Sequence, residues 1–342
     1  MSKEGRKKGI VALAAAGCLI LIYICTITGI TSIPVGEINR ILASKLLGAG
    51  AGAVDAGSEA IIWKVRMPRV ILGFLAGGGL SVCGAAYQGI FRNPMADPYI
   101  LGVSSGAALG ASLGIIMHGS GGFAGLSLTA LLAFAGAFAT VFVVYHISRR
   151  GRTVPVASLL LSGIAVGQSL TALMSLVMIF NVQSMNQIMF WTLGSLNGKG
   201  WPQVMLAAPW LAAGAAVLLS MRRELDIMLM GEETATQLGV DTERLKKKVL
   251  ISSSVITAVL VSVTGIIGFV GLVVPHVVRL AVGPKHRILL PFSLLFGGTF
   301  LVICDTLARS LSPSEIPVGI ITAAFGGPFF LYLLRRSGKA GG

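Results

Sequence analysis

Charge is scarce in this sequence. Only 12% of its 342 residues are Asp, Glu, Lys or Arg, about half the share in an ordinary soluble domain. With a mean hydropathy of +0.85, that scarcity excludes a soluble enzyme and a disordered chain. Acidic residues are the scarcest, 13 against 27 basic ones. Cysteine is rare too. Cys18, Cys25, Cys83 and Cys304 each sit inside an apolar run with no paired spacing, so neither a disulfide framework nor a cysteine metal site follows. The histidines His118, His146, His276 and His286 are far apart, and no HExxH pair exists to hold zinc. No G-x-S-x-G elbow is present. The nearest approach to a phosphate loop, Gly194 to Gly200, is one residue short and has no Ser or Thr after Lys199. The chain is therefore expected to be no enzyme and to hold no cofactor or metal.

What is abundant is apolar surface, 54% of residues, and glycine, 45 of them. A helix crossing a bilayer needs about 20 apolar residues. Nine stretches lack any charge or histidine: 10–36, 70–91, 98–117, 119–145, 153–198, 200–221, 249–275, 288–304 and 316–334. Lys3, Arg6, Lys7 and Lys8 precede the first, whose apolar part is long enough for a retained span. The fifth reads as a span to about Phe180, then a segment outside the membrane with an amphipathic piece around Phe190 and Trp191. Trp191 and Trp201 suit the membrane interface. The seventh contains Gly265, Gly268, Gly271 and Pro275. If the chain turns back there, a short tenth segment runs to about Val282. Charge arbitrates between the two counts. Ten spans with both termini cytoplasmic put 20 of the 27 basic residues inside, whereas nine spans put only 15 there. The net charge of +14 is thus topological, and no nucleic-acid partner is expected. The fold class is all-α: one membrane domain over residues 1–342, a polytopic bundle of about ten helices.

Gly102, Gly106, Gly110 and Gly114 recur every fourth residue, as do Gly73 and Gly77. Such spacing lets helix backbones approach closely. Carboxylates inside a membrane mark ion coupling, but here they lie almost wholly in loops. Asp305 is the exception, and it precedes Arg309 by one helical turn, so the two can pair. The longest inner loop, Arg222 to Lys248, contains a short helical pattern. Glu232 and Glu233 favour its start, Gly239 can end it, and Ala235 and Leu238 share a face. From spacing alone it is either a surface helix that seats on a soluble partner or a solvated linker.

Six ordered motifs carry a resemblance: Arg66-Met67-Pro68-Arg69; Gln88 to Pro98 followed by Leu101-Gly102; Leu159 to Gly163; Gly231-Glu232-Glu233 with Leu238-Gly239; Gly268 to His276 with Arg279; and Glu315 to Gly319 with Gly326. The sequence resembles the permease family of binding-protein-dependent ABC importers for iron-siderophore complexes, haem and cobalamin. The resemblance implies ten spans in the cytoplasmic membrane and a homodimer with the substrate path between its copies. It implies two cytoplasmic ATPase subunits below and an extracytoplasmic binding protein above. The stretch 231–240 matches the coupling helix, with Gly231, Glu232, Glu233, Ala235, Leu238 and Gly239 seating on the ATPase. Arg66, Arg69 and Arg309 match arginines that meet acidic side chains of the binding protein. Asn93 and Met95 match inner-gate residues. An iron-siderophore complex is the expected cargo, with cobalamin or haem as the alternative.

Overall fold

The computed structural model describes residues 16–29, 31–48, 54–117, 122–123, 126–151, 153–312 and 315–338. Lys3, Glu4, Arg6, Lys7, Lys8, His118, Arg152, Lys339 and the start of the first charge-free stretch lie outside them.

The helices follow in order: α1 (Ala16–Ile27), α2 (Val35–Leu47), α3 (Ala56–Ile90), α4 (Val103–Ile116), α5 (Leu128–Ser148), α6 (Val156–Phe180), α7 (Val182–Thr192), α8 (Trp201–Ser220), α9 (Arg222–Met228), α10 (Glu232–Gln237), α11 (Thr242–Thr264), α12 (Val270–Val282), α13 (His286–Leu311) and α14 (Val318–Gly338). A small antiparallel ribbon, β1 (Gly122–Phe123) with β2 (Leu126–Ser127), precedes α5. Six of these helices are long and apolar enough to cross a membrane, and α1, α4, α12 and α14 carry shorter apolar stretches. Together they make the ten segments expected from the charge distribution.

Local chemistry sets the boundaries. The Asp55 carboxylate accepts from the Ser58 amide at 2.8 Å at the start of α3, and Asp241 accepts from the Arg244 amide at 3.0 Å at the start of α11. Each fills one of the orphan donors of a first turn. Pro202 opens α8, where a missing N–H costs nothing. The reversal after α11 uses Gly265 at φ +71°, a region open to glycine without steric cost. Phe269, also left-handed at φ +68°, then launches α12. With 13 residues, α12 is about 20 Å long, too short to span the roughly 30 Å hydrocarbon layer.

α3 is the central helix, with 83% of its most apolar window buried. It touches its neighbours backbone to backbone. A Cβ at Gly77 would fall 2.2 Å from the Gly297 carbonyl oxygen of α13, and one at Gly84 would fall 1.8 Å from that of Gly271 on α12. The fourfold glycines do the same between α4 and α5. A Cβ at Gly106 would meet the Gly136 carbonyl oxygen at 2.4 Å, and one at Gly110 would meet that of Leu132 at 2.1 Å. The glycine spacing is therefore a packing device, as expected. The four cysteines are free and buried.

Gly106→Val is expected to destabilise the protein by about 1–3 kcal/mol, because backbone atoms cannot yield as side chains do. Gly17→Ala, where no atom lies within 4 Å of the added carbon, should leave the midpoint unchanged or raise it. Thermal unfolding of the detergent-solubilised protein measures both.

Candidate functional site

Contacts between helix ends sort the charged residues onto two ends of the bundle. At one end lie Arg66, Arg69 and Arg309, each about 5% exposed. Arg69 forks onto Asp305, with Nε to Oδ2 at 2.9 Å and Nη2 to Oδ1 at 2.9 Å, and its Nη1 reaches Glu315 Oε2 at 2.9 Å. Paired parallel donors make this the strongest geometry for a guanidinium and a carboxylate. It joins α3, α13 and the residue that leads into α14. Arg66 donates to the Ile27 carbonyl at 2.9 Å and to the Thr31 carbonyl. Arg309 donates to the Cys25 carbonyl and to Thr306 Oγ1.

Here the structure corrects one expectation. Asp305 is held by Arg69, not by Arg309 one turn along its own helix. The fork from α3 offers two aligned bonds, whereas an i,i+4 neighbour offers a looser one. The three arginines are brought together. Every nitrogen of Arg69 is bonded within the chain, whereas Arg309 leaves its buried Nε without a partner among the described residues. Glu315, with a quarter of its side chain exposed, is the most open member of the cluster.

The other end contains the 231–240 stretch. α10 is a surface helix of six residues entered through Gly231 at φ +120° and left through Gly239 at φ +85°. Ala235 is fully buried, while Glu233, Gln237, Leu238 and Gly239 face outward. What fastens this helix was not legible as a motif. Lys246 of α11, only 2% exposed, ties Glu232 at 2.8 Å, the Val154 carbonyl at 3.2 Å and Glu243. Glu243 also accepts from the Val154 amide at 3.0 Å. One lysine thus clamps α10, α11 and the strand-like entry to α6. A second fastening joins α9 to α13. Asp226 Oδ1 accepts from the His286 amide at 2.7 Å and sits 2.8 Å from its ring Nδ1. The ring is fully buried against Gly89 of α3, where an added Cβ would meet Nε2 at 2.7 Å. The only sequence signal for either fastening was a lysine and a histidine close to helix starts.

Asn93 and Met95 sit in the turn-rich connection between α3 and α4. The Asn93 Oδ1 accepts from the Met95 amide at 2.9 Å, and Met95 is 37% exposed. The preceding Arg92 is left-handed at φ +49°, and its guanidinium lies beside Gly231, 3.7 Å from where a Cβ would be. The loop with Asn93 and Met95 therefore abuts the entry to α10. In the same loop, loss of water around Asp97 pushes its carboxyl up to about 6, while the Tyr99 amide, donating at 2.8 Å, pulls the other way. The Tyr99 hydroxyl continues to the Ile267 carbonyl at 3.2 Å, in the bend between α11 and α12.

The FecCD transport family matches residues 17–336. The chain is 49% identical to a cobalamin import system permease protein of Halobacterium salinarum, over 82% of this chain and 75% of that one. It is 38% identical to an Fe(3+)-citrate import system permease protein of Bacillus subtilis, over 98% of each. Among solved structures it resembles an inward-facing metal-chelate type ABC transporter, with a TM-score of 0.78 and 30% identity over 94% of this chain and 98% of that one.

Removing one partner of a buried pair leaves the other charge stranded, a loss of about 3–5 kcal/mol. Asp305→Asn should show this as a lowered unfolding midpoint, and Glu315→Gln, at a more exposed site, should cost clearly less. A second measurement concerns pH. The Asp97 carboxyl titrates higher folded, near 6, than its ordinary 3.8. Its contribution to stability is fully present below the lower value and is lost as pH rises through the upper one. Asp97→Asn should flatten that slope and raise the midpoint at pH 7.5.

Proposed function

The chain belongs to the FecCD transport family, and from that premise we propose that it is the membrane permease of an ATP-driven importer whose cargo is cobalamin. The observation that carries the mechanical reading is the clamped surface helix α10. Its exposed residues, Glu233, Leu238 and Gly239, suit a groove on a soluble ATPase, and Ala235 anchors it from beneath. Lys246 and Asp226 carry any displacement of this region into α11 and α13 without slack. Gly231, Glu232, Glu233, Ala235, Leu238 and Gly239 are therefore the proposed coupling residues. Hydrolysis belongs to two separate cytoplasmic ATPase subunits.

The positive-inside bias puts the α10 end and both termini in the cytoplasm. The end ordered by Arg66, Arg69 and Arg309 then faces outward and receives the binding protein. Since every nitrogen of Arg69 is engaged, docking there would proceed by exchange. An acidic side chain of the partner displaces Glu315, the partly exposed carboxylate of that cluster, from Arg69. Asn93 and Met95, beside α10, serve as the inner gate. ATPase closure moves α10, the 91–102 loop and the α11–α12 bend together, and access alternates across a path shared with a second copy of the chain.

Cobalamin is favoured by the 49% identical relative. A ferric chelate of the citrate or siderophore kind is the second reading, favoured by the relative that aligns over 98% of both chains.

Vesicles holding the permease with its ATPase and binding protein should take up labelled cyanocobalamin only with ATP. Uptake that persists without the ATPase subunits would sink the importer reading. Ferric citrate uptake in place of cobalamin would move the cargo to the second reading. Leu238→Arg, on an exposed face, should cut uptake about tenfold or more while leaving the unfolding midpoint in place, as truncation of an interface anchor does.

A further inference from the structure

A groove of about 470 Å³ opens between α5, α6 and α11 at the α10 end. Its lining changes character along its length. On α5, Phe138 and Phe142 come first and Arg149 follows just past the helix end. On α11, which runs the other way, Ile251 and Leu250 lie deep, with Lys247 and Arg244 near the helix start. The two antiparallel helices therefore converge their cations at one mouth and their apolar side chains at one floor. From Phe138 to Arg149 the rise is about 16 Å, close to half the hydrocarbon thickness.

We propose that this groove binds one anionic phospholipid, its phosphodiester at Arg149, Arg244 and Lys247 and an acyl chain over Phe138, Phe142 and Ile251. The charge balance at the mouth supports an anion. Glu243 also lines the groove, but its carboxylate is committed to Lys246 and the Val154 amide. Arg244 pairs with Asp241 only at the surface, with its side chain 82% exposed, where such pairs are weak. Arg149 spends its Nε on the Gly151 carbonyl at 2.8 Å, and among the described residues its terminal nitrogens have no partner. A free phosphate would leave the apolar floor uncovered, whereas a lipid covers both parts. The occupant would touch Glu243 and thereby brace the Lys246 clamp on α10. The proposal requires only that the chain crosses a membrane, so it stands or falls separately from the choice of cargo.

Native mass spectrometry of the full-length protein, released from detergent after exchange with dioleoyl phosphatidylglycerol or dioleoyl phosphatidylcholine, provides the test. Wild type should retain one phosphatidylglycerol with about tenfold preference, given the attraction of each basic side chain for anionic lipid. Arg149→Gln with Lys247→Gln should abolish the preference, and Arg222→Gln with Arg223→Gln, exposed cations outside the groove, should keep it. Ile251→Trp, which fills the floor and leaves every cation in place, should also lose the lipid. Equal preference in the groove and control variants would overturn the proposal. So would undiminished retention in Ile251→Trp, or complete displacement of the lipid by an equal concentration of inorganic phosphate, which would mark a site for the anion alone.

Discussion

Backbone contact at glycine is the constraint on which this bundle rests. In a bilayer, apolar helices gain little from leaving lipid for one another, so close van der Waals approach has to hold them. The contacts of Gly77 with Gly297, Gly84 with Gly271, and Gly106 and Gly110 with α5 bring carbonyl oxygens to where a Cβ would stand. Because these contacts leave no room to yield, α3 with α12 and α13, and α4 with α5, behave as rigid units. Any conformational change must then occur where glycine frees the backbone, as in the bend from Gly265 to Phe269.

Charge is used sparingly and at the two ends. At one end Arg69 joins α3, α13 and the approach to α14 through Asp305 and Glu315. At the other, Lys246 gathers α10, α11 and the entry to α6, while Asp226 holds the first turn of α13. Both clusters link helices distant in sequence, and each is centred on a buried cation, Arg69 or Lys246, which depends on its partners. Between them the buried polar side chains are uncharged, mainly hydroxyls such as Ser81, Ser253, Thr257 and Ser293. This division suits a lever: the ends are latched electrostatically, and a shift at one surface helix reaches two long helices through single, short contacts.

Much of the fold was legible in the sequence because lipid imposes a simple rule. Charge-free stretches, the distribution of Lys and Arg, and the glycine cluster at 265–271 were enough to find ten apolar segments and the short α12. α2 escaped notice because the preceding stretch was read as continuous to Gly36. Its signal was present, with Pro34 before it, Glu37 in the first turn, Ile38 and Ile41 buried, and Lys45 in the last turn. The charged clusters were harder. Asp305 could be matched with Arg309 by spacing, but its real partner lies 236 residues away, and no local pattern specifies such a pairing. Lys246 looked like one of three consecutive basic residues, and only packing distinguishes it from its exposed neighbours Lys247 and Lys248.

α6 shows what the single chain leaves undone. Only 11% of its most apolar window is buried within the chain, against 83% for α3. If lipid covered the rest, the exposed Gln168 in mid-helix, whose amide has no partner among the described residues, would have to shed water at a cost of several kcal/mol. Ser169 and Thr171 avoid that cost by bonding to the carbonyls of Ala165 and Gly167, but a glutamine side chain is too large to fold back so neatly. A helix whose open face carries Gln168, Ser169 and Thr171 is better matched to a boundary between protein and a water-filled path. The proposed second copy, placed against α6, would supply such a boundary. The same residue that argues against lipid then faces the route along which a polar cargo must pass.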